Sequence, residues 1–148
     1  MDTIDKKILN ILQTGFPLDA EPYRLVAERV GIDEDEVLRR VRKLKEEGVI
    51  RRIGAVFEPR ALGYVSTLCA AKVPPSKMKQ FVEAANSYPG VTHNYRRSHD
   101  YNVWFTFIAP TRKDIDKALG EIKEKTGIAD ILDMPAKRVF KIDATFEL

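Results

Sequence analysis

DEDEVLRRVRKLKEEGVIRRIGAVF, residues 33–57, runs from one kind of periodicity into another and decides how the first third of the chain folds. Asp33 stands where a helix cap belongs, and Glu36, three residues on, is the reciprocal partner of a capping box. Val37, Val41 and Leu44 recur at helical spacing as a buried stripe, and Gly48 ends the pattern. VIRRIGAVF (49–57) then places β-branched residues around Arg51 and Arg52, which predicts a strand.

Working back toward the N-terminus, Ile4, Ile8, Ile11 and Leu12 form a second helical stripe that stops at Gly15-Phe16-Pro17. Another helix is expected after Pro22, with Leu25, Val26 and Val30 inward and Gly31 at its end. Three short helices followed by a strand make a winged helix-turn-helix over residues 1–57. EPRALG (58–63) is the expected linker.

Forward from the linker the alternation changes. YVSTLCAAKV (64–73) reads as a strand broken by Pro74-Pro75, and Met78, Phe81, Val82 and Ala85 as an amphipathic helix closed near Pro89-Gly90. VTHNYRR and YNVWFTFIA are two strands joined by a tight turn at Ser98-His99-Asp100. Ile115, Leu119 and Ile122 stripe a further helix ended by Gly127, and IADILDM and RVFKID supply the closing strand material. The order β-α-β-β-α-β over 64–148 is the ferredoxin-like plan, so the fold class is α+β. Two helices can cover only one side of such a sheet. The other side, with its Val, Phe and Trp positions, is expected to pair with a second subunit.

Composition narrows the class. A chain of 148 residues, 44% hydrophobic and 32% charged, is globular rather than disordered. No apolar run approaches the ~20 residues of a membrane span, and MDTIDKKILN lacks the character of a signal peptide. Cys69, the single cysteine, lies in an apolar run and is expected in the core, which together points to a cytoplasmic protein. The net charge is +3, yet residues 1–62 hold 12 basic and 12 acidic side chains, so the excess belongs to the C-terminal part.

Both histidines of the chain, His93 and His99, fall in VTHNYRRSHDYNVWF (91–105), among Tyr95, Arg96, Arg97, Tyr101, Asn102 and Trp104. Strand alternation would point Val91, His93, Tyr95 and Arg97 one way, and Thr92, Asn94 and Arg96 the other. Imidazole gives and takes protons near neutral pH, and an arginine forks onto a carboxylate with two hydrogen bonds. Such a wall can hold a carboxylate and deliver a proton. The plainer alternatives are a turn with solvated cations, a core position for Trp104, and a solvated wing for Arg51 and Arg52.

The segment LRRVRKLKEEGVIRRIGAVFEPRALGY, followed by a βαββαβ pattern, resembles the Lrp/AsnC regulators. In that family the turn between the second and third strands of the C-terminal, effector-binding domain reads Gly-Asp-Tyr-Asp. Here it reads His99-Asp100-Tyr101-Asn102. With FPL (16–18), GVIRRIGAVF (48–57), GVTHNYRRSHDYNVWFTF (90–107) and FKI (140–142), the chain resembles more narrowly the siroheme decarboxylases, the AhbA/AhbB and NirD, NirL, NirG and NirH proteins. That resemblance implies conversion of siroheme to 12,18-didecarboxysiroheme for haem or haem d1, with a homologous subunit, or a second copy, as partner. The iron tetrapyrrole is then substrate or product, and neither a further cofactor nor a structural metal is implied. His93 and His99 become the catalytic candidates, either of them also a candidate ligand of the siroheme iron. Arg51, Arg52, Tyr95, Arg96, Arg97, Tyr101, Asn102, Trp104 and Lys141 become the substrate-binding candidates.

Two rival readings stay open: a DNA-binding regulator and a non-catalytic haem sensor. Against the first, a recognition helix meets base edges with its N-terminal residues. Here those are Asp33, Glu34, Asp35 and Glu36, which phosphate repels and a helix dipole favours. Arg39, Arg40, Arg42 and Lys43 form a basic patch further along. No sequence-specific DNA binding is expected.

Overall fold

The computed structural model describes residues 1–142 and 145–148. The chain divides into two compact units, Met1–Ala55 with Lys141–Leu148, and Val56–Phe140.

In the first unit, helices α1 (Thr3–Thr14), α2 (Pro22–Val30) and α3 (Glu34–Glu46) follow the expected stripes. Ile8, Val26, Val37, Val41, Leu44 and Ile50 close one core between them. α1 begins with a full capping box between Asp2 and Asp5. α3 has only half of one. Asp33 accepts from the Glu36 N–H, but the Glu36 carboxylate turns away to hold Arg39 and Arg40. Arg40 also reaches Asp2 and Asp5, at 2.7 Å each, and so fastens α3 to the start of α1. The cap partner is lost because a guanidinium offers a carboxylate more than a backbone N–H does.

The expected wing strand over 49–57 is absent. Ile50 is buried and donates to the Leu44 carbonyl, closing the helix end, while residues 51–58 are exposed without strand pairing. A strand exists only with a partner, and this unit offers none among its described residues. The C-terminal boundary also differs from expectation. Phe146 exchanges hydrogen bonds with Gln13 on α1, so residues 141–148 join the first unit rather than the second. Residues 138–142 of RVFKID form no strand, and Asp143 lies outside the described residues.

The second unit has strands β1 (Val65–Ala71), β2 (Val91–Arg96), β3 (Val103–Ala109) and β4 (Ile131–Met134), with helices α4 (Met78–Asn86) and α5 (Arg112–Thr126). The linker is ordered as a 3-10 turn over Pro59–Leu62. Strand order is β2-β3-β1-β4 with every pairing antiparallel, which is the ferredoxin-like arrangement. Val103, Phe105, Phe107, Cys69 and Ala71 turn toward the helices and join Phe81, Ile115 and Ile122 in the core.

Register decides what the opposite side of the sheet shows. Met134, Leu68, Thr106 and His93 lie opposite one another across the four strands, and Leu132, Ala70, Trp104 and Tyr95 form the adjacent row. The uncovered face therefore carries Leu, Met, Tyr and Trp. The Val and Phe expected there pack under the helices, because period-2 alternation sends them inward once Trp104 faces out.

Candidate active site

A β-bulge places the first catalytic candidate. Val91 pairs with Phe107 and His93 with Thr106, so one extra residue, Thr92, enters β2 between them. Val91 consequently faces the helices while His93 faces the open side, although simple alternation puts the two together. Tyr95 follows His93 on the open side. Asn94 and Arg96 fall on the other, opposite Phe105 and Val103.

His93, Tyr95 and Arg97, with Ser98 and His99 of the following loop, line a groove of about 640 Å³ whose floor is Leu68, Trp104 and Thr106. The loop spans residues 97–102, longer than the tight turn expected from Ser98-His99-Asp100. It closes with the Arg97 N–H donating to the Asn102 carbonyl at 2.8 Å. The His93 and Tyr95 rings stack at 6.1 Å between centroids, and the Arg97 guanidinium lies 5.7 Å over the Tyr95 ring. An aromatic face under a cation keeps the guanidinium plane directed while leaving its N–H groups for an anion. The groove thus combines apolar floor, aromatic edge, one strong cation and two imidazoles.

The remaining loop residues are braces. Asn102 donates to the Val73 carbonyl at 2.8 Å and accepts from the Val73 N–H at 2.9 Å, so both ends of its amide hold β3 to the end of β1. It binds backbone where the sequence suggested a substrate contact. Tyr101 stacks on His99 at 6.3 Å and donates its phenol proton to Asp130 at 2.9 Å, which raises the phenol above the usual tyrosine range. The Tyr101 carbonyl accepts from the Trp104 indole N–H at 2.7 Å. His99 Nδ1 accepts from the Tyr101 N–H at 3.1 Å, and His93 Nδ1 lies 3.1 Å from Thr92 Oγ1.

Of the sequence candidates, His93, Tyr95, Arg97, His99 and Trp104 meet in the groove. Arg96 faces away from it. Arg51, Arg52 and Lys141 are exposed in the other unit. Leu68, Ser98 and Thr106 were missed. The outward parity of Leu68, next to buried Cys69, is the only signal that could have found it. Cys69 is fully buried under the sheet, where desolvation pushes its thiol up to about 11. Among the described residues no group of three or more His, Cys, Asp or Glu is placed to hold a metal ion, and no helix is long and apolar enough to cross a membrane.

Known proteins match both parts of the chain. Residues 61–141 match the AsnC-like ligand binding domain, and residues 5–51 the siroheme decarboxylase NirDL-like HTH domain. The siroheme decarboxylase alpha subunit of Desulfovibrio desulfuricans is 53% identical over 148 residues, covering 100% of this chain and 85% of that protein. The crystal structure of the siroheme decarboxylase NirDL in complex with an iron-uroporphyrin III analogue superimposes with a TM-score of 0.66 at 37% identity. That match covers 88% of this chain and 43% of the NirDL chain, so the chain spans less than half of that protein. The leucine response regulatory protein LrpA of Mycobacterium tuberculosis superimposes at 0.83 with 19% identity over the full length of both, a likeness of fold alone.

Proposed function

We propose, from the premise that this chain belongs to the siroheme decarboxylase family, that it removes CO₂ from the C12 and C18 acetate arms of siroheme. The product is 12,18-didecarboxysiroheme, an intermediate toward haem or haem d1. The chain is a carboxy-lyase subunit that works with a homologous subunit or a second copy. The name of its relative, an alpha subunit, supports the pairing, and the iron-uroporphyrin analogue bound by NirDL supports a tetrapyrrole as ligand.

One observation carries the reading: a single groove sets Arg97, His93 and His99 over the apolar floor of Leu68 and Trp104. A carboxylate-rich macrocycle needs each part. Its ring lies against the aromatic and apolar side chains, where desolvation is favourable. Arg97 grips a carboxylate that stays on the ring and so orients the arm that reacts. Loss of CO₂ leaves an electron pair on the arm's carbon, and a proton from an imidazole completes the methyl group. The carbon keeps both electrons and takes one proton, so no oxidant is consumed.

The test is anaerobic incubation of the protein with siroheme, alone and together with its homologous subunit, followed by mass spectrometry. The expected product is lighter by about 44 or 88 Da, one or two CO₂. Recovery of unchanged siroheme from both mixtures would overturn the reading.

A further inference from the structure

We infer that residues 141–148 are a releasable strap: they dock by their backbone on α1 and so give the first unit a second, breakable link to the chain of the second. The inference stands apart from the decarboxylase reading, and neither needs the other.

The chain passes from the first unit to the second between Ala55 and Val56, and returns between Phe140 and Lys141. A single passage leaves two units free to turn about one linker. The return adds a second passage, provided that residues 141–148 hold on to the helix they meet. Within the second unit the two passages start from one place. Arg60, in the 3-10 turn over Pro59–Leu62, donates to the carbonyl of Ala136, just past the end of β4, at 3.1 Å.

α1 supplies the hold. Gln13 Nε2 donates to the Phe146 carbonyl at 2.5 Å, and Gln13 Oε1 accepts from the Phe146 N–H at 3.0 Å. One amide thus satisfies both backbone groups of one residue. Gln13 Nε2 also donates to Asn10 Oδ1 at 3.0 Å, and Asn10 Nδ2 reaches the Leu148 carbonyl at 3.5 Å. Asn10 and Gln13 are neighbours on the helix surface, so the bond between them sets the amide plane that meets Phe146. Asn102 grips Val73 with the same paired geometry, there partly buried.

Exposure is what makes the hold on α1 releasable. Phe146 is 69% exposed and Ile142 76%, so docking buries little apolar surface. What remains is hydrogen bonding open to water, where each bond shifts an equilibrium by about fivefold. Such a link is populated because the segment is tethered through Phe140, and a tethered segment meets its site at high effective concentration. The same backbone contacts fit the segment of a second copy, but only the chain's own is tethered.

The test uses the full chain labelled with ¹⁵N and two variants of Gln13, an exposed residue outside the first-unit core. Gln13→Leu loses both contacts to Phe146; Gln13→Glu keeps the acceptor and loses the donor. Thermal melts establish that each variant folds. In the parent, the Phe146 amide should exchange with solvent roughly 10- to 100-fold more slowly than in an unstructured peptide. Gln13→Leu should abolish that protection, and Gln13→Glu should keep part of it. Trypsin should release the fragment that begins at Ile142 about 10-fold faster from Gln13→Leu than from the parent. Relaxation of ¹⁵N should show the first unit tumbling more independently in Gln13→Leu. Equal Phe146 protection in the parent and Gln13→Leu would overturn the docking, and unchanged tumbling of the first unit would overturn the link. In a mixture of labelled and unlabelled chains, NMR contacts from α1 to residues 145–148 should stay within one chain. Contacts between chains would give the site to a second copy and overturn the strap.

Discussion

Among the described residues Arg97 is the one guanidinium lining the groove, and its removal separates binding from packing. It touches the Tyr95 ring and solvent, so Arg97→Ala should leave the fold intact. Siroheme binding should weaken by about 1.5–3 kcal/mol, the worth of a charge-assisted hydrogen bond, as read by absorbance titration. Arg97→Lys keeps the charge but loses the fork and the stacking, so it should recover only part of this. Cys69 gives the opposite case, a reactive group made inert by burial. Its thiol moves from 9.0 up to about 11 in the folded chain. Between those values the unfolded chain has lost a proton that the folded chain keeps, so stability is full below about pH 9 and falls as pH rises toward 11. The slope is at most roughly 1.4 kcal/mol per pH unit, and thermal melts of Cys69→Ala should show it removed from that window. Burial of Cys69 is legible from its apolar neighbours. The bracing bonds of Asn102 are not, since an amide beside a turn suits a ligand as well as a brace, and they depend on where the fold brings Val73.

At the scale of elements, what is local in cause is legible and what is pairwise in cause is not. The helices follow from stripes such as Val37, Val41 and Leu44, because a helix satisfies its backbone within itself. The strand expected over 49–57 fails because its hydrogen bonds would have to come from elsewhere. The bulge at Thr92 is equally hidden, since register belongs to two strands at once, yet it is what turns His93 to the open face. Gly90 secures the start of that pairing. Its carbonyl accepts from the Ile108 N–H at 2.8 Å, and a Cβ there would stand 2.2 Å from the Ile108 carbonyl oxygen and 2.5 Å from Phe107 Cε2. Gly90→Ala must therefore push β2 away from β3. The expected cost is on the order of 1–3 kcal/mol in denaturant melts, with turnover falling further than stability because His93 and Tyr95 move with the strand. Parental activity in a destabilised Gly90→Ala protein would show that the bulge has no part in placing the site.

Across the whole molecule, the basic excess lies beyond residue 62. In the first unit the acids cancel the bases: Arg40, on the helix that would read DNA, is held by Asp2, Asp5 and Glu36, and Asp2 is drawn down to about 2 by its backbone hydrogen bond and Arg40. With Arg40 so engaged, that helix has one cation fewer to offer phosphate. The second unit carries an apolar patch on the uncovered sheet face, where Leu68 and Leu132 are 40% and 39% exposed beside Trp104 and Met134. Such a face loses free energy against water at about 25 cal/mol per Å², which a second sheet laid over it would recover. His93 and Tyr95 end the same two cross-strand rows, so whatever covers Leu132 also approaches the groove. Leu132→Glu puts a charge on that face without touching the helix-side core. The variant should keep the thermal unfolding of its own fold but run as a monomer by light scattering at micromolar concentration, with and without the homologous subunit. Its turnover should fall with its assembly, since a groove open on one side leaves the macrocycle in water, where the pull of Arg97 on a carboxylate is weakest. An assembled mass unchanged by Leu132→Glu would place the subunit contact on some other surface.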